Sequence, residues 1–148
     1  TEAFLLVVSN MVILFGEALV LSKTHRHFRW DMKQRGAVLA KGRLLGVQFR
    51  ALLQDGLFFD IARHANAQAQ RLAEGMEALG IPFSTPPVSN QLFVILQNET
   101  VARLQELGYE FETDHEVDPA HTCIRLVTSW ATPDQAVEDF LRDLKGIL

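Results

Sequence analysis

One arginine is the residue of this chain hardest to explain as structure alone. Arg125 lies between Ile124 and Leu126, inside a stretch, Thr122–Trp130, that reads as a strand. A guanidinium so close to a core needs a carboxylate or phosphate partner, and its planar fork matches a carboxylate through two parallel hydrogen bonds. The plainer alternative is a strand face open to water. Both readings stand on the residues alone.

The densest polar feature is the basic stretch Lys23, Arg26, Arg29, Lys33, Arg35, Lys41 and Arg43, interrupted by Asp31. Such a run can hold the phosphate groups of a cofactor or a nucleic acid. A solvated helix face, or a contact with an acidic neighbouring subunit, is the plainer reading. The net charge of −4 favours it, and Phe28 and Trp30 are weak support for nucleic acid. His25 and His27 are two apart and point away from each other on a helix. His115 and His121 fall in an acidic loop with Asp114, Glu116 and Asp118, where a divalent ion is conceivable. No spacing matches a known ligand set, so a solvated loop and no metal are expected. No serine, histidine and acid suggest a triad. Cys123, the single cysteine, excludes an internal disulfide and a multi-cysteine zinc site, and reads as a small core residue. It suits a reducing compartment, so a cytoplasmic location is expected.

The elements that position these groups fit one ordinary domain's worth of chain, 148 residues at 48% apolar and 22% charged. Residues Phe4 to Leu21 are mostly apolar and about long enough to span a bilayer. Glu17 sits inside that run, Ser9-Asn10 splits it, and no basic residue precedes it. Two buried strands, Phe4–Val8 and Val12–Leu21, are therefore expected, and no membrane segment. Thr24 could cap one helix running on toward Gln54, which Asp55-Gly56 breaks. Phe58, Ile61, Ala62, Ala65, Ala69, Leu72, Met76 and Leu79 recur at helical spacing, with Gly80 to end the helix.

From Thr85-Pro86-Pro87 the pattern is βαββα. Leu92–Leu96 reads as a strand covered on both faces or nearly so. Asn98 can cap a short helix burying Val101 and Leu104, stopped by Gly108. Tyr109–Thr113 and Thr122–Trp130 are strand-like, the latter with Ile124, Leu126 and Thr128 on one side. Thr132-Pro133-Asp134 opens a last helix with Val137, Phe140, Leu141 and Leu144 as its buried stripe. The fold class is α/β: long N-terminal helices plus a small two-layer α/β sandwich with helices on one face of the sheet. The expected division is 1–56 and 57–148.

Four segments in order, Leu14–Val20, Met32–Phe49, Ile61–Gly75 and Cys123–Thr132, resemble the threonine aldolase and β-eliminating lyase family. The Lys-Gln-Arg-Gly stretch at Lys33–Gly36 and the Arg-Leu-Val-Thr strand at Arg125–Thr128 together are fairly specific. Members of that family look like fold-type-I pyridoxal-phosphate enzymes, which hold the cofactor as an imine on a lysine and cleave amino acids. The chain is similar to their C-terminal portion. By that resemblance Arg125 grips the substrate carboxylate, and Lys33 and Arg35 lie near the cofactor phosphate, in one reading across a dimer interface. The resemblance also carries the small C-terminal domain of those enzymes onto 57–148.

The chain departs from the pattern where the lysine should be. Counted back from Phe15, that position holds Asn10, whose amide cannot form an imine. The resemblance thus implies pyridoxal phosphate for the family but none covalently bound here, and a truncated, non-catalytic relative. Two alternatives stand beside it: part of an active pyridoxal-phosphate lyase or aldolase, with Lys23 or Lys41 replacing the lost amine, or a non-enzymatic module for anion binding or oligomerisation. An amino acid substrate is expected only of a complete enzyme. Val7, Val8, Val12, Ile13, Phe15 and Leu19 would be central-sheet residues covered by elements of the parent fold. Leaving a handful of such side chains in water costs several kcal/mol, so a homo-oligomer through the apolar N-terminal segment is expected.

Overall fold

The computed structural model describes residues 3–7, 14–23 and 26–148. Asn10, Thr24 and His25, and with them Val8, Val12 and Ile13, lie outside the described residues. The chain divides into two compact units, Thr1–Phe59 and Asp60–Leu148.

In the first unit, β1 (Ala3–Val7) pairs antiparallel with β2 (Glu17–Leu21), Ala3 opposite Leu21 and Val7 opposite Glu17. The second strand was expected from Val12. It starts only at Glu17, because Gly16 takes a φ of +111° that a side chain rarely adopts. That glycine also packs tightly: a Cβ there would stand 2.6 Å from Leu45 Cδ2. Gln48 fixes the same bend, its Oε1 accepting from the Leu14 backbone N–H at 2.8 Å. Burial of both strands was expected, yet Leu5, Leu19 and Val20 are exposed.

One helix from Thr24 to Gln54 was expected. Two are found, α1 (Phe28–Gln34) and α2 (Arg43–Leu53). The break is at Gly36, whose φ of +70° closes a helix end in which Gly36 N–H donates to Lys33 O and Ala37 N–H to Met32 O. At Asp55-Gly56 the chain breaks as expected, both residues at positive φ.

α3 (Leu57–Ala78) starts in the first unit and runs mostly in the second. Its interior face is Ala65, Gln68, Ala69, Leu72, Ala73 and Met76. Gly80 terminates it with the bond pattern seen at Gly36. A three-stranded antiparallel sheet follows in the order β3 (Gln91–Gln97), β5 (His121–Val127), β4 (Glu112–Asp118). Helix α4 (Asn98–Glu106) connects β3 to β4, and α5 (Asp134–Ile147) ends the chain. One core joins them: Leu72 and Met76 of α3, Leu92, Val94 and Leu96 of β3, Leu104 of α4, Ile124 of β5, and Val137, Phe140 and Leu144 of α5.

Several local expectations shift. β3 is fully buried on one face only, through Leu92, Val94 and Leu96, while Phe93 and Ile95 are half-buried. Asn98 does not cap α4; its side chain donates to Pro119 O and accepts from the Thr122 hydroxyl. β4 begins at Glu112 rather than Tyr109, since Tyr109 closes the end of α4 by donating its N–H to Leu104 O. The acidic segment expected as a loop is the β4–β5 hairpin itself, with His115 and His121 on strands. Thr132 accepts from Ser129 N–H instead of capping α5. Among the described residues no helix is long and apolar enough to cross a membrane.

Candidate functional site

Arg125 stands on the central strand β5, paired across to Phe93 on one side and Glu112 on the other. Strand alternation sends Ile124 into the core, fully buried, and Arg125 to the opposite face. Its guanidinium is one-third exposed and ion-paired through Nη2 with Glu112. The Arg125 Nε is buried and has no hydrogen-bond partner among the described residues. A buried donor left unpaired costs about 1–3 kcal/mol. Glu112 therefore satisfies one edge of the fork, and the buried Nε is not met by it.

Arg125 and Glu112 line a cavity of about 570 Å³ together with Leu72, Tyr109, Phe111, Thr128 and Phe140. The wall is mostly apolar and aromatic. Tyr109 is held edge-on to Phe140, ring centroids 4.9 Å apart, and its hydroxyl donates to Asp143 Oδ2 at 2.8 Å. Burial, then that bond, pushes the phenol from its usual 10 up to about 12. Thr128 is fixed beneath the cavity by its hydroxyl donating to Ala65 O at 2.7 Å. The arrangement is a mostly apolar hollow whose wall carries one guanidinium, Arg125, and two carboxylates, Glu110 and Glu112.

Lys33 on α1 and Arg35 just beyond it are exposed. Two further cavities among the described residues are one of about 330 Å³ beside Ile81, Arg103 and His121, and one of about 670 Å³ beside Leu14, Phe15, Lys41, Arg43, Leu44 and Val47. Lys23, the other candidate amine, is exposed as well.

One constellation escaped the sequence reading. The ligand atoms of Asp114, His115 and Cys123 lie within 4.8 Å of one another. Sequence spacing hid this because Cys123 comes from the neighbouring strand. His115 Nδ1 and Asp114 Oδ2 are 2.8 Å apart. Burial, then the Asp114 charge, pushes the Cys123 thiol up, against a hydrogen bond with Ser84. The Asp118 carboxyl, at the hairpin tip, is held down by the Ala120 N–H and by His121.

The low specificity L-threonine aldolases of Pseudomonas sp. (strain NCIMB 10558) and Pseudomonas aeruginosa are 27% and 28% identical over 136 residues, 90% of this chain. The chain spans 38% of the length of either. A Leishmania major threonine aldolase structure superposes on 99% of the chain with a TM-score of 0.92 and 38% identity, 43% of that chain being covered. A Sphingomonas wittichii serine palmitoyltransferase shares the fold at a TM-score of 0.71 and 20% identity, with 39% of its chain covered. No family model matches.

The fold is thus that of a part of the fold-type-I pyridoxal-phosphate enzymes. Within that class the chain belongs to the threonine aldolase family, matching a portion of its relatives' length.

Proposed function

We propose that this chain is a non-catalytic relative of the threonine aldolases that keeps a grip for an amino acid's carboxylate and lacks the covalent anchor for the cofactor. Arg125 carries the reading: a guanidinium in a cavity wall, with a buried Nε that has no partner among the described residues and a carboxylate, Glu112, on its other edge. An amino acid carboxylate would take both the free donor and the position that Glu112 now fills.

On this reading pyridoxal phosphate is not held covalently, for want of an amine at the family's imine position. Lys33 and Arg35, the phosphate donors implied by resemblance, are exposed side chains of the first unit. The position of the imine-forming lysine is Asn10, and an amide nitrogen is no nucleophile toward an aldehyde. Mixing the protein with pyridoxal phosphate is expected to give no imine absorbance at the edge of the visible and no cleavage of threonine. An adduct trapped by borohydride together with threonine turnover would overturn the proposal.

A second reading is supported by length. Because the chain spans 38% of its curated relatives, it could serve as one part of an active lyase whose other parts supply the amine. Turnover on adding the remaining portion of a relative, and none without it, separates the two.

The first unit's exposed apolar side chains, Leu5, Leu14, Phe15, Leu19 and Val20, support self-association. At about 25 cal/mol per Å², covering them on a second copy returns several kcal/mol. Light scattering is expected to give at least a dimer; a monomer at all concentrations removes this part. A cytoplasmic location suits the lone thiol of Cys123 and completes the proposal.

A further inference from the structure

We propose that Asp114, His115 and Cys123 form a site for one Zn²⁺ ion on the β4–β5 hairpin. The geometry begins with a β-bulge. Thr113 pairs with Ile124 and His115 with Cys123, so Asp114 is an extra residue with no opposite number. In an unbroken strand Asp114 and His115 would point to opposite faces. A bulge sets two successive residues against one on the partner strand, and this one turns both toward Cys123. All three ligand atoms then lie within 4.8 Å of one another. Zinc bonds of about 2.0–2.3 Å in a tetrahedron separate ligand atoms by roughly 3.5 Å. The difference, roughly 1 Å, is of the size that side-chain rotation covers.

The donor set selects the ion. A sulfur, an imidazole nitrogen and a carboxylate oxygen suit zinc and are poor for magnesium or calcium, which take oxygen alone. Three protein ligands leave a fourth position for water. Cys123 is fully buried while Asp114 and His115 are exposed, so the ion enters from the solvent side and meets a preplaced sulfur. Arg125, two residues along β5 from Cys123, has its charge met by Glu112. Ser84 interacts with the Cys123 thiol and would act as a partner of the sulfur outside the ligand set. Bound there, zinc would tie β4 to β5 beside the bulge.

The test uses the full chain, reduced and freed of metal. Zn²⁺ measured against a chromogenic chelator is expected to bind one per chain, and Co²⁺ in its place to give thiolate-to-metal absorption in the near ultraviolet. His115→Ala and Asp114→Asn, both at exposed positions, are expected to weaken Zn²⁺ by more than roughly tenfold. Cys123→Ser should abolish the cobalt absorption, and His121→Ala, at the hairpin tip and paired with Asp118, should leave it in place. Absence of the thiolate–cobalt band with wild-type protein, or equal Zn²⁺ affinity in wild type and His115→Ala, overturns the proposal.

Discussion

Replacing Gly75 with alanine sets two effects of known size against each other. Gly75 lies within α3, where alanine is favoured over glycine by about 1 kcal/mol. Propensity alone thus predicts a more stable protein. Packing predicts the reverse. A Cβ at this position would stand 2.3 Å from Leu141 Cδ1, 2.7 Å from Cδ2 and 3.1 Å from Cγ. Both methyls and the branching carbon are too close, so turning the end of Leu141 only exchanges one clash for the other. The whole side chain, which packs on the rim of the core, must move, or α5 must shift away from α3. Overpacking of this kind costs about 1–3 kcal/mol. The expected net effect is a loss of about 1 kcal/mol, a fall of about 0.5 M in the urea midpoint at a slope near 2 kcal/mol/M. The same substitution made beside Leu141→Ala should stabilise by up to about 1 kcal/mol, giving a coupling of about 2 kcal/mol. A raised urea midpoint for Gly75→Ala alone would refute the argument that the two helices touch at this glycine.

Two further perturbations probe the cavity wall. Tyr109 is the single tyrosine, so its phenolate absorbance reads one group. With its pKa pushed from 10 up to about 12 in the folded chain, its stabilising contribution is full below pH 10 and lost as pH rises from about 10 to about 12. The limit for two pH units is about 2.7 kcal/mol, and partial exposure reduces it to about 1 kcal/mol. At pH 10.5 the native phenol should be mostly un-ionised and the urea-unfolded one mostly ionised; half-ionisation near pH 10 in the native protein contradicts this. Thr128→Val removes the buried hydroxyl that donates to Ala65 O, and should cost about 1–2 kcal/mol in urea unfolding at unchanged slope. No shift in midpoint would mean that the bond contributes nothing.

Much of the second unit was legible because each helix there carries its own signals. The apolar spacing from Phe58 to Leu79 and the glycine at 80 delimit α3, and Gly108 ends α4 for the same reason. The same signal stands at Gly36, behind Lys33 and Arg35, where the chain stops α1, but the basic run on either side of it carries no apolar period to mark two helices. The strands were harder. Their starts at Glu17 and Glu112 depend on Gly16 packing against Leu45 and on Tyr109 finishing α4, and neither contact leaves a periodic trace. Arg125 stood out because a charge between Ile124 and Leu126 breaks a pattern. Its partner Glu112 did not, since a cross-strand pair is set by register. The grouping of Cys123 with Asp114 and His115 was hidden similarly, behind a bulge that no residue type announces.

The central claim, that the chain retains a carboxylate grip without a covalent cofactor anchor, is tested most directly by weighing peptides. The protein is incubated with pyridoxal phosphate, reduced with borohydride and digested. We expect no stoichiometric pyridoxyl mass on any of Lys23, Lys33, Lys41 or Lys145, only sparse labelling. One lysine fully labelled, protected by added threonine and needed for its cleavage, would contradict the account.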